Sequence, residues 1–210
     1  MPLTELHHPV VDHWITRLRD RRTRPDEFRV ICKRLTWFLV IEATRDLPTV
    51  VHEVETPLER HAGRALDADL VVVPILRAGL GMLEAVTDMF PKIAVGYVGL
   101  ERDHTTAMAS TYYCKLPEVR DRVVLVVDPM LATGGSAGAA VEMLRKAGAR
   151  DVRLLSMVAA PEGVRALEKR FPDLKIVTAA LDRELNDSKY ILPGLGDFGD
   201  RLYGTGDTLL

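Results

Sequence analysis

The strongest chemical signal in the chain is a valine-rich run that ends in an acid and passes into a glycine-rich turn. The run is Val123–Val127, the acid is Asp128, and the turn reads Thr-Gly-Gly-Ser at residues 133–136. Consecutive backbone N–H groups in such a turn bind an anion, and a helix that begins there adds the positive end of its dipole. Glycines let a phosphate approach the backbone without clashing with a Cβ atom. The pattern predicts a phosphate-binding loop at the carboxyl end of a strand, where ligands bind in open α/β sheets.

This loop differs from the two best-known nucleotide fingerprints. The lysine of a nucleotide P-loop is absent, and no Gly-x-Gly-x-x-Gly follows the strand. An ordinary βα turn with Ser136 as the helix N-cap is the alternative interpretation. Asp128 favours a sugar phosphate, because an acid beside a phosphate loop repels phosphate unless it faces hydroxyl groups or a metal. Its alternative role is to stabilise the turn.

The elements that must position this loop alternate between strands and helices. Continuous apolar runs indicate buried strands, and the residues between these runs recur at helical spacing. This order predicts an α/β fold with a mainly parallel, twisted sheet flanked by helices. We expect strands at Leu70–Ile75, Ile93–Val98, Val123–Val127, Val152–Val158 and Leu174–Ala179, and helices around Leu80–Met89, from Ala137 towards a stop at Gly148, and from Pro161 to Phe171.

Three parts of the chain depart from this alternation. The first third is predicted to be helical, with one helix around residues 10–18 and another that begins at Pro25. The long polar stretch of residues 99–117 is predicted to form a two-stranded flap. Residues 181–210 are too irregular for sheet or helix, and we expect an ordered cap packed with the N-terminal helices. The whole chain, residues 1–210, is predicted to be one domain.

Composition indicates an ordinary soluble globular protein. Hydrophobic residues make up 47% of the 210 residues, charged residues 28%, and the formal net charge is -2. This charge argues against broad, sequence-independent binding to nucleic acid, although it leaves a local basic patch open. Neither a signal peptide nor a membrane-spanning run is evident. We expect a cytoplasmic protein that binds neither nucleic acid nor membrane, with Cys32 and Cys114 as free thiols.

Motifs in four places resemble those of the uracil phosphoribosyltransferases, a branch of the type I phosphoribosyltransferases. The most specific is Val-Asp-Pro-Met-Leu-Ala-Thr-Gly-Gly-Ser at residues 127–136. Val-Pro-Ile-Leu-Arg-Ala-Gly-Leu-Gly at residues 73–81 is similar to the family's pyrophosphate loop. Residues 99–102 with 112–117 look like its flap, and residues 190–200 resemble its uracil-recognition segment.

The resemblance runs from about His8 to Thr205 and contains one departure from the wider type I pattern. Most type I relatives carry two adjacent acids at the end of the strand, whereas this chain has Val127 before Asp128. The uracil enzymes share that departure. It weakens any claim that two carboxylates hold the sugar.

The resemblance implies roles for individual residues. Arg77 and Arg102 would hold the pyrophosphate and Asp128 the ribose hydroxyls, and these three would be catalytic. Read alone, Arg77 fits a surface ion pair equally well and Arg102 a solvated charge. The implied set for phosphoribosyl pyrophosphate is Arg77, Arg102, Asp128, Pro129, Met130, Leu131, Ala132, Thr133, Gly134, Gly135, Ser136 and Asp197, and for uracil it is Tyr190, Ile191, Gly196, Asp197 and Phe198.

The implied reaction moves the phosphoribosyl group of phosphoribosyl pyrophosphate to uracil and gives UMP and pyrophosphate in pyrimidine salvage. Mg²⁺ is the implied cofactor, bound to the diphosphate, and Asp197 is the one candidate for a direct protein ligand. The sequence contains no evident catalytic carboxylate pair or Ser/His/Asp set, as expected where positioning and electrostatics stabilise an oxocarbenium-like sugar. The family also implies a homo-oligomer, dimer or tetramer, and leaves a GTP effector open.

Three rival functions remain open from the sequence. A phosphoribosyltransferase for orotate or a purine would not explain the likeness of residues 190–200. A uracil-linked RNA-binding regulator is disfavoured by the net charge and by the lack of a basic, aromatic-laced stripe. A catalytically dead paralogue is disfavoured because the four charged residues of the motifs are intact.

Uracil would be selected by backbone groups around Ile191 and Gly196–Phe198, because a mismatched base leaves a buried polar group unpaired at about 1–3 kcal/mol.

Overall fold

The computed structural model describes residues 3–102 and 109–205, without the side chains of residues 101, 102 and 109–111. The helices are α1 (Pro9–Arg19), α2 (Pro25–Ala43), α3 (Leu80–Met89), α4 (Gly135–Lys146), α5 (Pro161–Arg170) and α6 (Phe198–Tyr203). The strands are β1 (Leu3–Glu5), β2 (Thr49–Glu55), β3 (Arg60–Leu66), β4 (Leu70–Leu76), β5 (Ala94–Val95), β6 (Tyr97–Arg102), β7 (Ala109–Lys115), β8 (Val123–Val127), β9 (Met130–Leu131), β10 (Asp151–Ala159), β11 (Lys175–Leu181), β12 (Glu184–Leu185) and β13 (Ile191–Leu192).

One mainly parallel sheet organises the fold. Its strands follow the order β1-β11-β10-β8-β4-β6-β7, with β5 beside β4 and β9 beside β10. Every neighbouring pair in it is parallel except β6 with β7, which are antiparallel. The central strands are buried on both faces, which is why they read as continuous apolar runs in the sequence. The predicted α/β class is confirmed.

Helices cover both faces of the sheet and create two apolar cores. The first core packs α1, α2, α3 and α6 against one face, and the second packs α4 and α5 against the other. Successive residues of a strand serve opposite cores, as the two-residue period of a strand requires. Val72 and Leu125, for example, lie in the first core, whereas Val71 and Val124 lie in the second.

The predicted alternation of strands and helices agrees with the structure to within a few residues, with one difference. The apolar run predicted as a single strand from Ile93 to Val98 is divided into β5 and β6. Gly96 separates them, and its amide donates a hydrogen bond to the carbonyl oxygen of Val72 at 2.9 Å. The chain therefore pairs with β4 twice, once near the start of β4 and once at its end.

The prediction that the first third of the chain is helical is wrong in part. Beyond α1 and α2, strands β2 and β3 form an antiparallel hairpin closed by a turn at residues 56–59. The hydroxyl of Thr56 accepts hydrogen bonds from the amides of Leu58 and Glu59 in that turn. Both strands are largely exposed, so no buried face imposed the apolar alternation by which a strand is recognised.

Residues 181–205 are also more regular than the sequence indicated. They contain the short hairpin β12–β13 and helix α6, which packs against α2. Elements of two and six residues are too short to show a period, so the expectation of neither sheet nor helix was wrong. Among the described residues, no helix has the length and apolar character needed to cross a membrane.

Candidate active site

Two loops meet at the carboxyl edge of the sheet. Strands β4 and β8 pair in parallel up to Pro74 and Val127, and each then passes into a loop. The loop after β4, called the arginine turn, covers residues 77–81, and the loop after β8, called the phosphate loop, covers residues 128–136. A methyl group added at Gly79 would lie 2.4 Å from the carbonyl oxygen of Val127. Only glycine permits this approach, which brings the arginine turn against the start of the phosphate loop.

The first half of the phosphate loop is held by backbone hydrogen bonds to β10. The amide of Asp128 donates to the carbonyl oxygen of Leu155 at 3.1 Å. The carbonyl oxygen of Pro129 accepts from the amides of Met157 and Val158, and β9 then continues the pairing with β10. These bonds involve main-chain atoms, so the path of the loop depends little on the identity of its side chains.

The second half of the phosphate loop turns into helix α4 and packs on helix α5. Gly134 adopts a left-handed conformation with φ 79° at the N-cap of α4. A methyl group at Gly163, in the first turn of α5, would lie 2.3 Å from the carbonyl oxygen of Ala132. The alternative with Ser136 as N-cap is wrong, because Gly134, which has no side chain, occupies the cap. The Gly135 amide of α4 donates a long hydrogen bond to the Thr133 hydroxyl at 3.4 Å, and N–H groups at the start of a helix suit an anion.

The arginine turn leads into helix α3 and contacts α6. The amide of Leu80 donates to the Arg77 carbonyl oxygen at 3.1 Å, and the hydroxyl of Tyr203 donates to the same oxygen at 3.3 Å. Burial raises the pKa of Tyr203, and the positive charge of Arg77 partly offsets that rise. The Arg77 side chain is exposed and forms no ion pair within the described part of the chain. The surface ion pair considered from the sequence is therefore absent there.

Strands β6 and β7 form the antiparallel pair of the flap beside this edge. Their register runs from Tyr97 opposite Lys115 to Arg102 opposite Ala109, with an irregularity next to Gly99. The backbone of Arg102 belongs to β6, but its side chain lies outside the described residues. The role expected for Arg102 therefore stays a prediction.

The segment of residues 190–198, called the base segment, is fixed by an ion pair from the start of the chain. The Asp182 carboxylate is buried and accepts hydrogen bonds from both terminal nitrogens of Arg19, at 2.8 and 2.5 Å. Asp182 also accepts from the amide of Gly194 at 2.8 Å, and Arg19 donates to the Gly194 carbonyl oxygen at 2.8 Å. Both polar groups of the Gly194 backbone are thereby held in place.

A second arginine ties the base segment to the turn between α1 and α2. Arg201 donates to the carbonyl oxygens of Leu18 at 2.6 Å, Leu195 at 2.8 Å and Asp20 at 2.6 Å. Its guanidinium carbon lies 4.6 Å from the centre of the Phe28 ring. Burial lowers the pKa of Arg201 from its ordinary value. This arginine acts as a structural clamp between parts of the chain that are distant in sequence.

The structure brings the predicted uracil residues together but gives their side chains different environments. Ile191 is buried in β13, and Phe198 is buried against Phe28 with ring centres 5.1 Å apart. Tyr190 is 55% exposed. Asp197 is the N-cap of α6, and its carboxylate accepts from the Asp200 amide at 2.9 Å. Because the Phe198 ring is a core side chain, a ligand in this segment would meet Phe198 through its backbone.

Sequence reasoning missed the residues that hold the base segment. Arg19 and Asp182 are 163 residues apart, and Arg201 contacts carbonyl oxygens 181 and 183 residues away. Neither spacing nor residue type pointed to these contacts. Each residue reads in isolation as one more surface charge.

The described residues contain no group of three or more His, Cys, Asp or Glu side chains that could hold a metal ion. Magnesium that arrives on a diphosphate keeps several waters and uses one or two carboxylates of the protein. Asp197 uses its Oδ1 atom in the cap of α6. The carboxylate of Asp197 is thus compatible with an ion that arrives on a diphosphate.

Comparison with known proteins gives a consistent result. A family profile described as Uracil phosphoribosyltransferase matches residues 5–205. Curated proteins with that same name include one from Dictyoglomus turgidum, 50% identical over 94% of this chain and 97% of the relative. Another, from Roseiflexus castenholzii, is 51% identical over 95% of this chain and 96% of the relative.

Solved structures support the same fold. The AQ2163 protein from Aquifex aeolicus superimposes with a TM-score of 0.92 at 37% identity, covering 98% of this chain and 99% of that one. A hypoxanthine-guanine phosphoribosyltransferase from Bacillus anthracis has a TM-score of 0.51 at 9% identity, over 74% of this chain and 79% of that one. At that identity the second likeness concerns the fold alone.

Proposed function

The chain belongs to the uracil phosphoribosyltransferase family, and from this premise we propose which of its residues carry the reaction. The enzyme transfers the phosphoribosyl group of phosphoribosyl pyrophosphate to uracil, giving UMP and pyrophosphate in pyrimidine salvage. The observation that carries the assignment of roles is the direct packing of the arginine turn on the phosphate loop, at Gly79 and Val127. In support of the proposal, a cation, an acid and a row of backbone N–H groups lie at one edge of the sheet.

We propose that the sugar diphosphate binds across these two loops. The N–H groups and hydroxyls of residues 132–136 hold the 5'-phosphate at the N-terminus of α4. Asp128 accepts hydrogen bonds from the ribose hydroxyls. Arg77 grips the diphosphate through two parallel hydrogen bonds, a geometry that a guanidinium is shaped to provide. Arg102, which lies on the flap, also binds the diphosphate.

The base segment selects uracil through its backbone in this proposal. Residues 191 and 196–198 offer N–H and C=O groups that complement the two carbonyls and the ring N–H groups of uracil. Cytosine replaces one carbonyl with an amine and reverses one ring-nitrogen role, so it would leave buried polar groups unpaired at about 1–3 kcal/mol. The support is the rigid hold that Asp182, Arg19 and Arg201 exert on this backbone.

Magnesium is proposed as the cofactor, and Asp197 as the residue that would meet it directly. When bound to the diphosphate, magnesium neutralises the leaving group. The protein residues do the rest: they orient the anomeric carbon towards the base and stabilise positive charge that develops on the ribose. Two separate carboxylates, Asp128 and Asp197, fit that division of work better than a metal cage.

A homo-oligomer is proposed because the hairpin β2–β3 has exposed apolar side chains. Val51 is 61% exposed and Leu58 is 95% exposed. A two-stranded hairpin is marginally stable on its own, so a second copy of the chain is the natural cover for it. Sedimentation of the intact protein tests this, and a monomer at all concentrations would refute it.

A cytoplasmic location is proposed from the two free cysteines, Cys32 and Cys114, which suit a reducing compartment.

A GTP effector is a separate proposal. A cavity of about 300 Å³ is lined by Arg19, Arg21 and Arg201 and by residues 193–197 of the base segment. Arg19 and Arg201 already donate to Asp182 and to main-chain carbonyl oxygens, so the exposed Arg21 is the arginine that would contact a nucleotide phosphate. GTP added to the assay should raise kcat/KM for uracil, and an unchanged value at saturating GTP would remove the proposal.

The reaction itself is tested by a coupled measurement of UMP and pyrophosphate formed from uracil, with and without magnesium. We expect stoichiometric release of both products and a strong requirement for the ion. The same assay with orotate, hypoxanthine and cytosine tests the choice of base. Faster turnover of any of these than of uracil would contradict the proposed recognition.

The role of Arg77 is tested by Arg77→Ala. Because the side chain is exposed and forms no described ion pair, its loss should leave the melting temperature nearly unchanged. The KM for phosphoribosyl pyrophosphate should rise by roughly tenfold or more, since a bidentate charged contact is lost. Wild-type kinetics would show that Arg77 does not hold the diphosphate.

A further inference from the structure

Glu162 lies in the first turn of α5, directly against the phosphate loop. The neighbouring Gly163 packs on the carbonyl of Ala132, as described above, and the Ala160 amide at the N-cap of α5 donates to the Leu131 carbonyl oxygen at 2.8 Å. The turn that carries Glu162 is therefore fixed to the phosphate loop by main-chain contacts.

The side chain of Glu162 reaches in the other direction, to the base segment. Its Oε1 atom accepts a hydrogen bond from the Leu185 amide at 3.1 Å. Leu185 belongs to β12 and lies opposite Ile191 of β13. Ile191 is one of the residues of the base segment whose backbone is proposed to bind uracil. Strands of two residues do not stabilise a hairpin by themselves, so an anchor from outside matters here.

The two carboxylate oxygens of Glu162 have different environments. Oε2 is buried and has no hydrogen-bond partner within the described part of the chain. The Leu185 amide, followed by the Glu162 amide itself, holds the pKa of this carboxyl below its ordinary value, so the group is charged at neutral pH. The charged carboxylate is therefore stabilised in the folded protein through the amide of Leu185, while Oε2 has no partner among the described residues.

We infer that Glu162 is a positioning residue, which sets the uracil-binding backbone at Ile191 relative to the phosphate loop through the amide of Leu185. This inference rests on the proposed function of both segments. Loss of the Glu162 side chain should affect the base segment and not the phosphate loop. The phosphate loop keeps its own hydrogen bonds to β10 if Glu162 is removed, whereas β12 loses the hydrogen bond that Glu162 accepts from Leu185. Uracil binding therefore depends on Glu162 and binding of phosphoribosyl pyrophosphate does not.

Steady-state kinetics of Glu162→Ala and Glu162→Gln test this inference. In Glu162→Ala, the KM for uracil should rise roughly tenfold, the order expected for the loss of a hydrogen bond to a charged group. The KM for phosphoribosyl pyrophosphate should change by less than about twofold, because its loop has independent anchors. Glu162→Gln keeps an oxygen that can accept from the Leu185 amide, so it should recover most of the affinity for uracil.

Glu184→Ala is the matched control. Glu184 lies on the same short hairpin, but its carboxylate pairs with the exposed Arg183. This variant should leave both KM values within about twofold of the wild type, as is usual for surface substitutions. Hydrogen exchange of the Leu185 amide gives a second readout that needs no substrate: exchange should be faster in Glu162→Ala and close to wild type in Glu162→Gln.

Two results would overturn the inference. One is an unchanged KM for uracil in Glu162→Ala with active wild-type enzyme. The other is an equal rise of both KM values with a lower melting temperature in both Glu162 variants, which would indicate a structural residue only. If the proposed function itself were wrong, the wild-type protein would form no UMP. The faster hydrogen exchange of the Leu185 amide in Glu162→Ala would still be observed.

Discussion

The phosphate loop and the base segment lie at the same edge of the sheet, but different kinds of contact hold them. Main-chain hydrogen bonds to β10 and close packing at Gly163 fix the phosphate loop. Side chains, chiefly Arg19 from the distant helix α1 and Asp182 and Arg201 from either side of the segment, fix the base segment. The residues of the phosphate loop are consecutive in the sequence, and the loop needs only a strand followed by a glycine turn. The base segment depends on tertiary contacts, so it can be changed without disturbing the phosphate site.

The largest expected effect is on the chemistry of the phosphate loop. Asp128→Asn should leave the loop in place, because the backbone amide at that position donates to Leu155 whatever the side chain is. Turnover should fall by roughly a hundredfold to a thousandfold, the usual range for losing one preorganised electrostatic contact. The assay is UMP formation, with the melting temperature as the control for folding. A wild-type rate would mean that Asp128 only shapes the turn.

The next effect breaks the base segment. Asp182→Ala removes the partner of Arg19 and the acceptor of the Gly194 amide. Breaking a buried pair in this way should lower the free energy of unfolding by about 3 kcal/mol and weaken uracil binding. Denaturant unfolding and the KM for uracil measure the two consequences.

Asp187→Ala provides the control for that variant, since Asp187 is an exposed aspartate of the same cap. It should change neither quantity appreciably. If Asp182→Ala raised the KM for phosphoribosyl pyrophosphate as much as the KM for uracil, the phosphate loop and the base segment would not be held independently. That result would contradict the comparison.

A smaller effect is expected where α5 packs on the phosphate loop. Gly163→Ala places a methyl group 2.3 Å from the Ala132 carbonyl oxygen, so main chain must move. We expect a loss of about 2 kcal/mol in stability and a higher KM for phosphoribosyl pyrophosphate. In Gly138→Ala the new methyl group meets mainly the end of the flexible Arg170 side chain, which can move aside. Equal behaviour of the two variants would show that the packing is not critical.

The smallest effect concerns a site remote from both regions. Hydrogen bonds from Lys175 and Arg153 hold the pKa of Asp46 at about 2, below the ordinary 3.8. Its contribution to stability is therefore present above pH 3.8 and is lost as the pH falls towards 2. Asp46 is 56% exposed, so solvent screening limits the contribution to about 1 kcal/mol or less.

Asp46→Asn should flatten the stability curve in that acid range and leave the KM for uracil unchanged. Chemical unfolding as a function of pH measures the first effect. An unaltered acid limb would mean that the ion pairs of Asp46 do not contribute in solution.

The same contrast explains how much the sequence could predict. The central strands and helices were predicted within a few residues, because burial on both faces gives apolar runs and helices give a clear period. The phosphate loop follows from its glycines and from Asp128. The hairpin β2–β3 was missed because exposed strands carry no buried pattern. Arg19, Asp182, Arg201 and Glu162 were missed because their partners are distant in sequence.

The central claim is that the phosphate loop holds a ribose 5'-phosphate while the anomeric carbon faces the base segment. A crystal structure of the protein soaked with phosphoribosyl pyrophosphate and magnesium tests it most directly. We predict electron density for the 5'-phosphate against the N–H groups of residues 132–136 and for the diphosphate beside Arg77. An empty loop at saturating ligand, or a sugar bound elsewhere, would contradict the account.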